Sequence, residues 1–422
     1  MRFHRAHRLQ NLRRLMAALA VLIVPILGLF GASPRASSST LPALSPVSAS
    51  FLASGEGWAL STYHCKSGNC AEVEKTLNAG RSWTSKPLPT QLQKVINSYN
   101  SNYVPFGTLS IHFANRQDGW IYGSFYSSAS STGTDVQPKT ELWASHDGGD
   151  SWTAVDAMAF GMKFGVLSLS SNGGQVYALA WLTDQTFGLW RSSTAAESWQ
   201  TVATPSLPMA AGGTSMEAAL VFKGTSGWLM VGNDRGVTGS ARLNSRGQWV
   251  KWDAPCYSVG NGFVVPVAYS ATSLIDVCTI GGFGGYVAPS TPSYVKPESN
   301  WIYSSNNGGS SFAPTSRVVI NNSSLNLSLY YGIPASPAPG VVLMTKLVGL
   351  GQTLSDHLYL SRDRGKTWTL VYATPFAPSQ QMIQNAFFAS SKLGSAIVQT
   401  TDTSSMLIIS SDGGKTWHKS TV

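Results

Sequence analysis

Ser145-His146-Asp147-Gly148-Gly149-Asp150-Ser151-Trp152 is the stretch on which the reading of this chain turns, because it recurs. Ser410-Ser411-Asp412-Gly413-Gly414-Lys415-Thr416-Trp417 repeats it near the C-terminus. Thr76 to Trp83 keeps the frame with Asn78 at the acid position, and Ser361 to Trp368 keeps it with Asp363. Ser305 to Phe312 has Asn307 for the acid and a phenylalanine for the tryptophan. Ser192 to Trp199 holds Thr194 and Ala196 inside the frame, and Leu243 to Trp249 is badly worn. Six steps separate Trp83 from Trp417, a unit of roughly 56 residues, the size of a long propeller blade.

Each copy reads as a tight turn with its own hydrogen-bond supply. Asp or Asn accepts bonds from backbone N–H groups just ahead. Glycine gives the positive φ the turn needs, and Ser or Thr adds a second local acceptor. The aromatic is expected to open the next strand and to bury apolar surface between units. A second phrase precedes the turn, an apolar strand ending in Phe, a short turn, then Gly-Trp. It appears as Phe51…Gly57-Trp58, Phe113…Gly119-Trp120 and Phe222…Gly227-Trp228, and without tryptophan as Phe388…Gly394-Ser395. Each unit therefore reads strand A, turn, strand B, loop, strand C, turn, strand D. The expected fold is all-β, a seven-bladed propeller of four-stranded antiparallel blades over residues 45–422.

Ser-x-Asp-x-Gly-x-Ser/Thr-Trp resembles the Asp-box, or bacterial neuraminidase repeat, of sialidases, sortilin-type receptors and some xyloglucan hydrolases. Paired with the Gly-Trp strands, it looks most like the photosystem II assembly and stability factor family. That resemblance implies a non-catalytic scaffold holding a protein partner. The sialidase side of the resemblance implies the alternative, a carbohydrate-active protein, either hydrolase or lectin. The motif itself holds turns, not substrates.

Residues 1–36 stand apart. Arg2, Arg5, Arg8, Arg13 and Arg14 precede an apolar run from Leu15 to Ala32. This reads as a cleaved signal peptide or an uncleaved N-terminal membrane anchor, followed by a linker at 37–44. The expected location is extracytoplasmic, secreted or held to the membrane by residues 15–32. Removing the leader's six arginines from the chain's net charge of +9 leaves +3. No nucleic-acid footprint is indicated, and a monomer is expected. Four cysteines in an exported chain favour disulfides, paired Cys65–Cys70 and Cys256–Cys278.

The long connections fall on the face opposite the Asp-boxes. They are Pro87 to Thr108, Ser124 to Thr140 and Gly281 to Asn300. Their aromatics, Tyr99, Tyr103, Phe125, Tyr126, Phe283, Tyr286 and Tyr294, are the candidate contact residues for a protein partner or a glycan. Asp147, Asp363, Asp412, Asn78 and Asn307 are expected to be structural, with Trp83, Trp152, Trp199, Trp368 and Trp417. An acid catalyst would not tolerate the exchange for Asn. One carboxylate per turn is too few oxygens for calcium, so no metal and no cofactor are expected. The Arg-Ile-Pro phrase of sialidases is absent, and the loop acids, Glu141 and Glu217 among them, single out no catalytic pair. His64, His112, His146, His357 and His418 form no constellation in sequence.

Overall fold

A computed structural model of the chain describes residues 44–66, 68–98, 109–126, 138–162, 165–183, 186–208, 216–233, 236–254, 266–278, 300–318, 335–350, 353–375, 382–401 and 404–422. Pro42–Val422 is one compact unit. Seven antiparallel sheets follow one another along it. Blade 1 holds β1 (Ser45–Phe51), β2 (Gly57–Cys65), β3 (Gly68–Thr76) and β4 (Thr84–Lys86). After α1 (Thr90–Ser98), blade 2 holds β5 (Leu109–Phe113), β6 (Gly119–Tyr126), β7 (Pro138–Ser145) and β8 (Thr153–Ala154). Blade 3 holds β9 (Val166–Asn172), β10 (Gln175–Thr183), β11 (Thr186–Ser193) and β12 (Gln200–Val202). Blade 4 holds β13 (Met216–Lys223), β14 (Ser226–Asn233), β15 (Gly236–Leu243) and β16 (Trp249–Lys251). Blade 5 holds β17 (Val267–Ala268), β18 (Leu274–Cys278), β19 (Asn300–Ser305) and β20 (Ala313–Val318). Blade 6 holds β21 (Val342–Leu350), β22 (Thr353–Ser361) and β23 (Thr369–Ala373). Its first-strand position is taken by an isolated bridge, Ala335 to Leu343. Blade 7 holds β24 (Met382–Phe388), β25 (Gly394–Thr401), β26 (Ser404–Ser410) and β27 (His418–Ser420).

The two sequence phrases meet in space inside each of four blades. Phe51, Phe113 and Phe388 end their first strands, and Phe222 stands one residue before the end of its own. They pack edge-on against Trp83, Trp152, Trp249 and Trp417 of the same blades, at centroid distances of 6.0, 6.0, 5.9 and 6.1 Å. The glycine opening each second strand lies under that phenylalanine. A Cβ on Gly57, Gly119, Gly227 or Gly394 would come within 2.4, 2.4, 2.7 or 2.5 Å of a ring carbon. The phenyl ring thus explains the invariable Gly of the Gly-Trp phrase.

Tryptophans of both phrases pack between blades: Trp83 meets the blade 7 cluster, Trp368 Ile275 and Ile302 of blade 5, and Trp417 a cluster with Leu358 and Leu360 of blade 6, while those of the Gly-Trp strands lie deepest. Trp58, Trp120 and Trp228 are fully buried. Trp58 stacks on Phe113 of blade 2 at 3.6 Å and carries Lys75 Nζ over its ring at 4.9 Å. Its indole N–H donates to Gly148 O in the blade 2 Asp-box at 2.9 Å, and that of Trp228 donates to Gly308 O in the blade 5 Asp-box at 3.1 Å. Each Gly-Trp strand therefore locks onto the turn of the next blade. Most Asp-box tryptophans are half-buried and immediately precede strand D.

Several first strands pack on that of the next blade, β1 on β5, β9 on β13 and β13 on β17. Ser48 and Ser50 of β1 accept bonds from Ile111 N and Phe113 N of β5 at 3.0 and 2.9 Å. Among the described residues the termini exchange no strand: β1 pairs with β2, and β27 with β26. Phe51 and Trp83 of blade 1 pack with Phe387, Ile397, Leu407 and Ile409 of blade 7. Trp83 Nε1 donates to Ser420 Oγ at 2.9 Å, Ser420 Oγ donates to Gly80 O at 2.6 Å, and Ser405 Oγ donates to Pro46 O at 2.5 Å.

Gly119→Ala forces its Cβ against Phe113 without altering a positive φ, so it is expected to cost about 1–3 kcal/mol, the range for overpacking. Urea unfolding followed by tryptophan fluorescence measures it.

Candidate functional site

Five of the seven candidate contact residues, Tyr99, Tyr103, Phe283, Tyr286 and Tyr294, lie outside the described residues, as do Cys256 and the core of each long connection. Phe125 and Tyr126 belong to β6, paired with Lys139 and Pro138, so the loop expected from Ser124 to Thr140 is shortened at both ends by strand. These pairings place both residues at the end of β6 away from the Asp-boxes.

On that face, the long connection after blade 1 is not all loop. It contains α1, whose Leu92 and Ile96, four apart, are fully buried against the blade 1–2 core. The helix covers a gap in the sheet. β4 pairs only with Val73 to Lys75, so among the described residues no strand lies beside the outer edge of β3 before Val73. Gln93 takes that place: its Oε1 accepts Ala71 N at 3.1 Å, and its Nε2 donates to Asn97 Oδ1 at 2.8 Å. The hairpin tip beside it is closed by the Cys65–Cys70 disulfide, as expected from its spacing. A cleft of about 260 Å³ remains between strand and helix, lined by Ala71, Glu72, Ser85, Lys86, Leu88, Thr90 and Gln93.

The Asp-box geometry is the same in five blades. Ser145 Oγ donates to Asp147 Oδ1 at 2.9 Å and accepts Gly149 N at 2.8 Å. Asp147 Oδ1 also accepts Ser151 N at 2.9 Å, and Oδ2 accepts Ser151 Oγ at 2.5 Å. Asp363 and Asp412 repeat all four bonds. In the two Asn copies, the amide swaps the direction of the last bond. Asn78 Nδ2 donates to Ser82 Oγ, and Asn307 Nδ2 donates to Ser311 Oγ, each at 2.8 Å. Asn is interchangeable with Asp here because a hydroxyl both donates and accepts. In worn blade 3, Ser192 Oγ accepts Ser198 N at 2.9 Å, and in worn blade 4 Asn244 Oδ1 accepts Arg246 N and Gln248 N at 2.9 and 3.0 Å.

These bonds lower the acids' pKa values. For Asp363 the Thr367 hydroxyl and backbone N–H lead, holding it down to about 2. For Asp147 and Asp412 some burial pushes up, and the bonds from Ser151 and Thr416 with their neighbours outweigh it.

One constellation was not legible in sequence. His146 Nδ1 lies 2.8 Å from Asp118 Oδ1, and His146 Nε2 lies 3.5 Å from Glu197 Oε1. Glu197 sits in the worn box of blade 3. It accepts the indole N–H of Trp120 at 3.0 Å and of Trp199 at 2.6 Å. Its carboxylate thus replaces the box carbonyl that Trp58 and Trp228 use, and burial raises its pKa. At the blade 1–2 junction, Glu56 is buried between Lys75 and Arg116, at 3.1 and 2.9 Å. These groups couple blades 1, 2 and 3.

Other acids sit in the walls. Glu74 is buried in blade 1 and pushed up to about 8 by burial. Ser61 Oγ donates to one of its oxygens at 3.0 Å, while Oε1 has no hydrogen-bond partner among the described residues. Asp356 is raised to about 6 by burial, and its Oδ2 accepts Ile383 N of blade 7 at 2.8 Å. Glu141 accepts the Trp143 indole N–H at 3.0 Å. His112 bonds Ser171 Oγ across blades 2 and 3 at 3.0 Å, and burial lowers its pKa to about 4, so it is neutral. Among the described residues, no group of three His, Cys, Asp or Glu side chains is placed to hold a metal ion, and no helix is long and apolar enough to cross a membrane.

The BNR/Asp-box repeat family matches residues 408–419, the closing turn of blade 7. The chain is a seven-bladed propeller whose turns carry the Asp-box motif. No curated protein matches it by sequence. Among solved structures it is similar to a polysaccharide lyase, the PL25 ulvan lyase bound to -[GlcA(1-4)Rha3S]-, at 8% identity over 89% of this chain and 94% of that one, with a TM-score of 0.54. A prolyl endopeptidase matches at 10% identity over 89% of this chain and 49% of that one, with a TM-score of 0.52. YCF48 bound to a D1 peptide matches at 13% identity over 90% and 81%, with a TM-score of 0.33. At these identities the likeness establishes the propeller alone.

Two pH dependences follow. The Asp-box carboxylates have depressed folded pKa values. Their stabilisation is complete above the unfolded value near 4 and is lost as pH falls toward 2. The triple variant D147N/D363N/D412N is expected to fold and to show a flatter fall in melting temperature over that window. Glu74 is the opposite case. Its folded pKa is raised, so stability falls as pH rises from its ordinary 4.5 through about 8. Glu74→Gln is expected to remove that alkaline slope in a melting series from pH 5 to pH 9.

Proposed function

We propose that this propeller is an exported, non-catalytic binding scaffold that holds a protein partner through its long-loop face. The observation that carries the reading is the way the described carboxylates are spent. Asp147, Asp363 and Asp412 have both oxygens bonded inside their own turns. Glu56, Asp118, Glu197 and Asp356 bond across or between turns and blades. Two-carboxylate glycoside hydrolysis needs both acids facing one substrate space, and these seven are engaged in the framework. Supporting it on the opposite face, α1 and the disulfide hairpin give blade 1 a braced rim beside the long connection that carries Tyr99 and Tyr103. Rigid framework with aromatic loops suits protein contact. The resemblance to photosystem II assembly factors points the same way, without supplying the partner's identity.

The test is crosslinking in cells followed by pull-down of the tagged full-length chain, beside a variant with Tyr99, Tyr103, Tyr126 and Tyr286 changed to Ala. A discrete protein recovered with the native chain and lost with the variant is the expected result. Recovery of polysaccharide instead, or of the same protein with both chains, sinks the reading. Fractionating the cells with the same tag tests export.

A further inference from the structure

We propose that a second docking surface lies on the Asp-box face, over blades 6, 7 and 1, and that it takes an acidic segment of a partner protein. Arg362, Arg364 and Lys366 project from the blade 6 Asp-box, Lys392 and Lys415 from two turns of blade 7, and Arg81 from the blade 1 Asp-box, and all six side chains are exposed. None of the six has an ion pair among the described residues, whereas Lys75, Lys86 and Arg116 of blades 1 and 2 are paired with Glu56 or Asp150.

The three blades are consecutive around the ring. The blade 7 box touches blade 6, since a Cβ on Gly414 would lie 3.5 Å from Leu360. The blade 1 box touches blade 7, where Ser420 Oγ donates to Gly80 O at 2.6 Å. The backbone also ties each box to its own first turn. Arg364 N donates to Gly340 O at 3.0 Å, Gly413 N to Lys392 O at 2.9 Å, and Ala79 N to Gly55 O at 2.7 Å. The cations thus stand on tips fixed in pairs, on a surface that costs little ordering to engage.

Charge is concentrated there. The acids of these boxes are Asp363 and Asp412, and their oxygens are occupied by turn bonds. The blade 1 box uses Asn78 and has no acid. Six cations against two carboxylates give this sector +4, more than the +3 of residues 37–422 as a whole. The rest of residues 37–422 is therefore close to neutral.

A protein segment fits better than a sugar polymer. Leu77 is 72% exposed in the blade 1 box, and Leu370 is 48% exposed just after the blade 6 box. They are two of the three exposed large apolar side chains among the described residues, and none of the three is aromatic. Sugar rings stack on aromatic faces, whereas leucines flanked by cations match a peptide that alternates acidic and apolar residues.

The test uses the full-length chain and a short fluorescent peptide of alternating glutamate and leucine, with polygalacturonate and phosphatidylglycerol vesicles as the other probes. The peptide is expected to bind, to weaken as salt rises, and to lose about tenfold or more in affinity with R362E/K366E/K392E/K415E. K223E/R246E, on turns of blade 4, and the conservative R362K/K366R/K392R/K415R are expected to bind like the native chain. Melting temperatures of all variants separate lost docking from lost folding, and if the reversed variant melts early, glutamine at the same four positions replaces it. Absence of peptide binding, equal loss with K223E/R246E, or binding of polygalacturonate or vesicles in preference to the peptide overturns the proposal.

Discussion

Each of four blades is organised by one contact, between the phenyl ring near the end of its first strand, the glycine that opens its second and the tryptophan that closes its Asp-box. The ring fills the space a Cβ would need on Gly57, Gly119, Gly227 or Gly394. It thereby presses the first two strands together at their turn and gives the indole an edge-on partner about 6 Å away. The Asp-box hydrogen bonds then fix where that indole stands. Apolar packing and turn chemistry support each other, which is why both phrases recur together. Neither turn would hold its geometry against a loose strand end, and neither strand end would be positioned without the turn.

The bond from Gly-Trp to the next blade extends that order around the ring. Trp58 and Trp228 donate to box carbonyls, and Trp120 donates to Glu197 where the box has lost its acid and its glycine. A buried indole N–H without an acceptor costs about 1–3 kcal/mol, so at the worn turn of blade 3 a group that takes the carbonyl's place for Trp120 is stabilising. Glu197 is that group, and His146 and Asp118 steady it in turn. Blade 7 shows the other outcome: Ser395 stands in place of the tryptophan, and its buried hydroxyl has no partner among the described residues. The seam with blade 1 is held instead by Trp83, Ser420 and the apolar cluster around Phe51.

Blade number, strand order, the turn role of Asp147, Asp363 and Asp412, and the Cys65–Cys70 bridge could be read from sequence, because each rests on residues a few positions apart. The Asp/Asn exchange could be read as a fact, but its mechanism, a reversed hydroxyl bond at Asn78 and Asn307, needed coordinates. What sequence missed joins residues far apart in the chain. His146 and Glu197 come from different blades, and nothing local marks a glutamate in a worn box as the acceptor for Trp120. The helix α1 was hidden in a connection containing Pro87 and Pro89, since its nine residues show only Leu92 and Ile96 as a buried pair. The blade 1 box that carries Arg81 meets blade 7, which carries Lys415, only because the ring closes.

Six of the Asp-box's eight positions divide between two tasks. The first, third, fifth and seventh make the turn, through hydroxyl, carboxylate or amide, glycine N–H and hydroxyl again. The second and sixth are exposed in blades 1, 2, 6 and 7. They hold Leu77 and Arg81, His146 and Asp150, Arg362 and Lys366, and Ser411 and Lys415. Substitution there leaves the turn bonds intact, so the charge of this face varies blade by blade without a cost in fold. Blade 2 uses that freedom for contacts to its neighbours, through His146 and through Asp150 with Lys86. Blade 6 uses it for cations that bond to nothing among the described residues. A repeat that is fixed at its turn-making and aromatic positions and indifferent at the second and sixth keeps its architecture while its surface chemistry changes. That is why the motif identifies the fold of this chain so securely and its ligand so little.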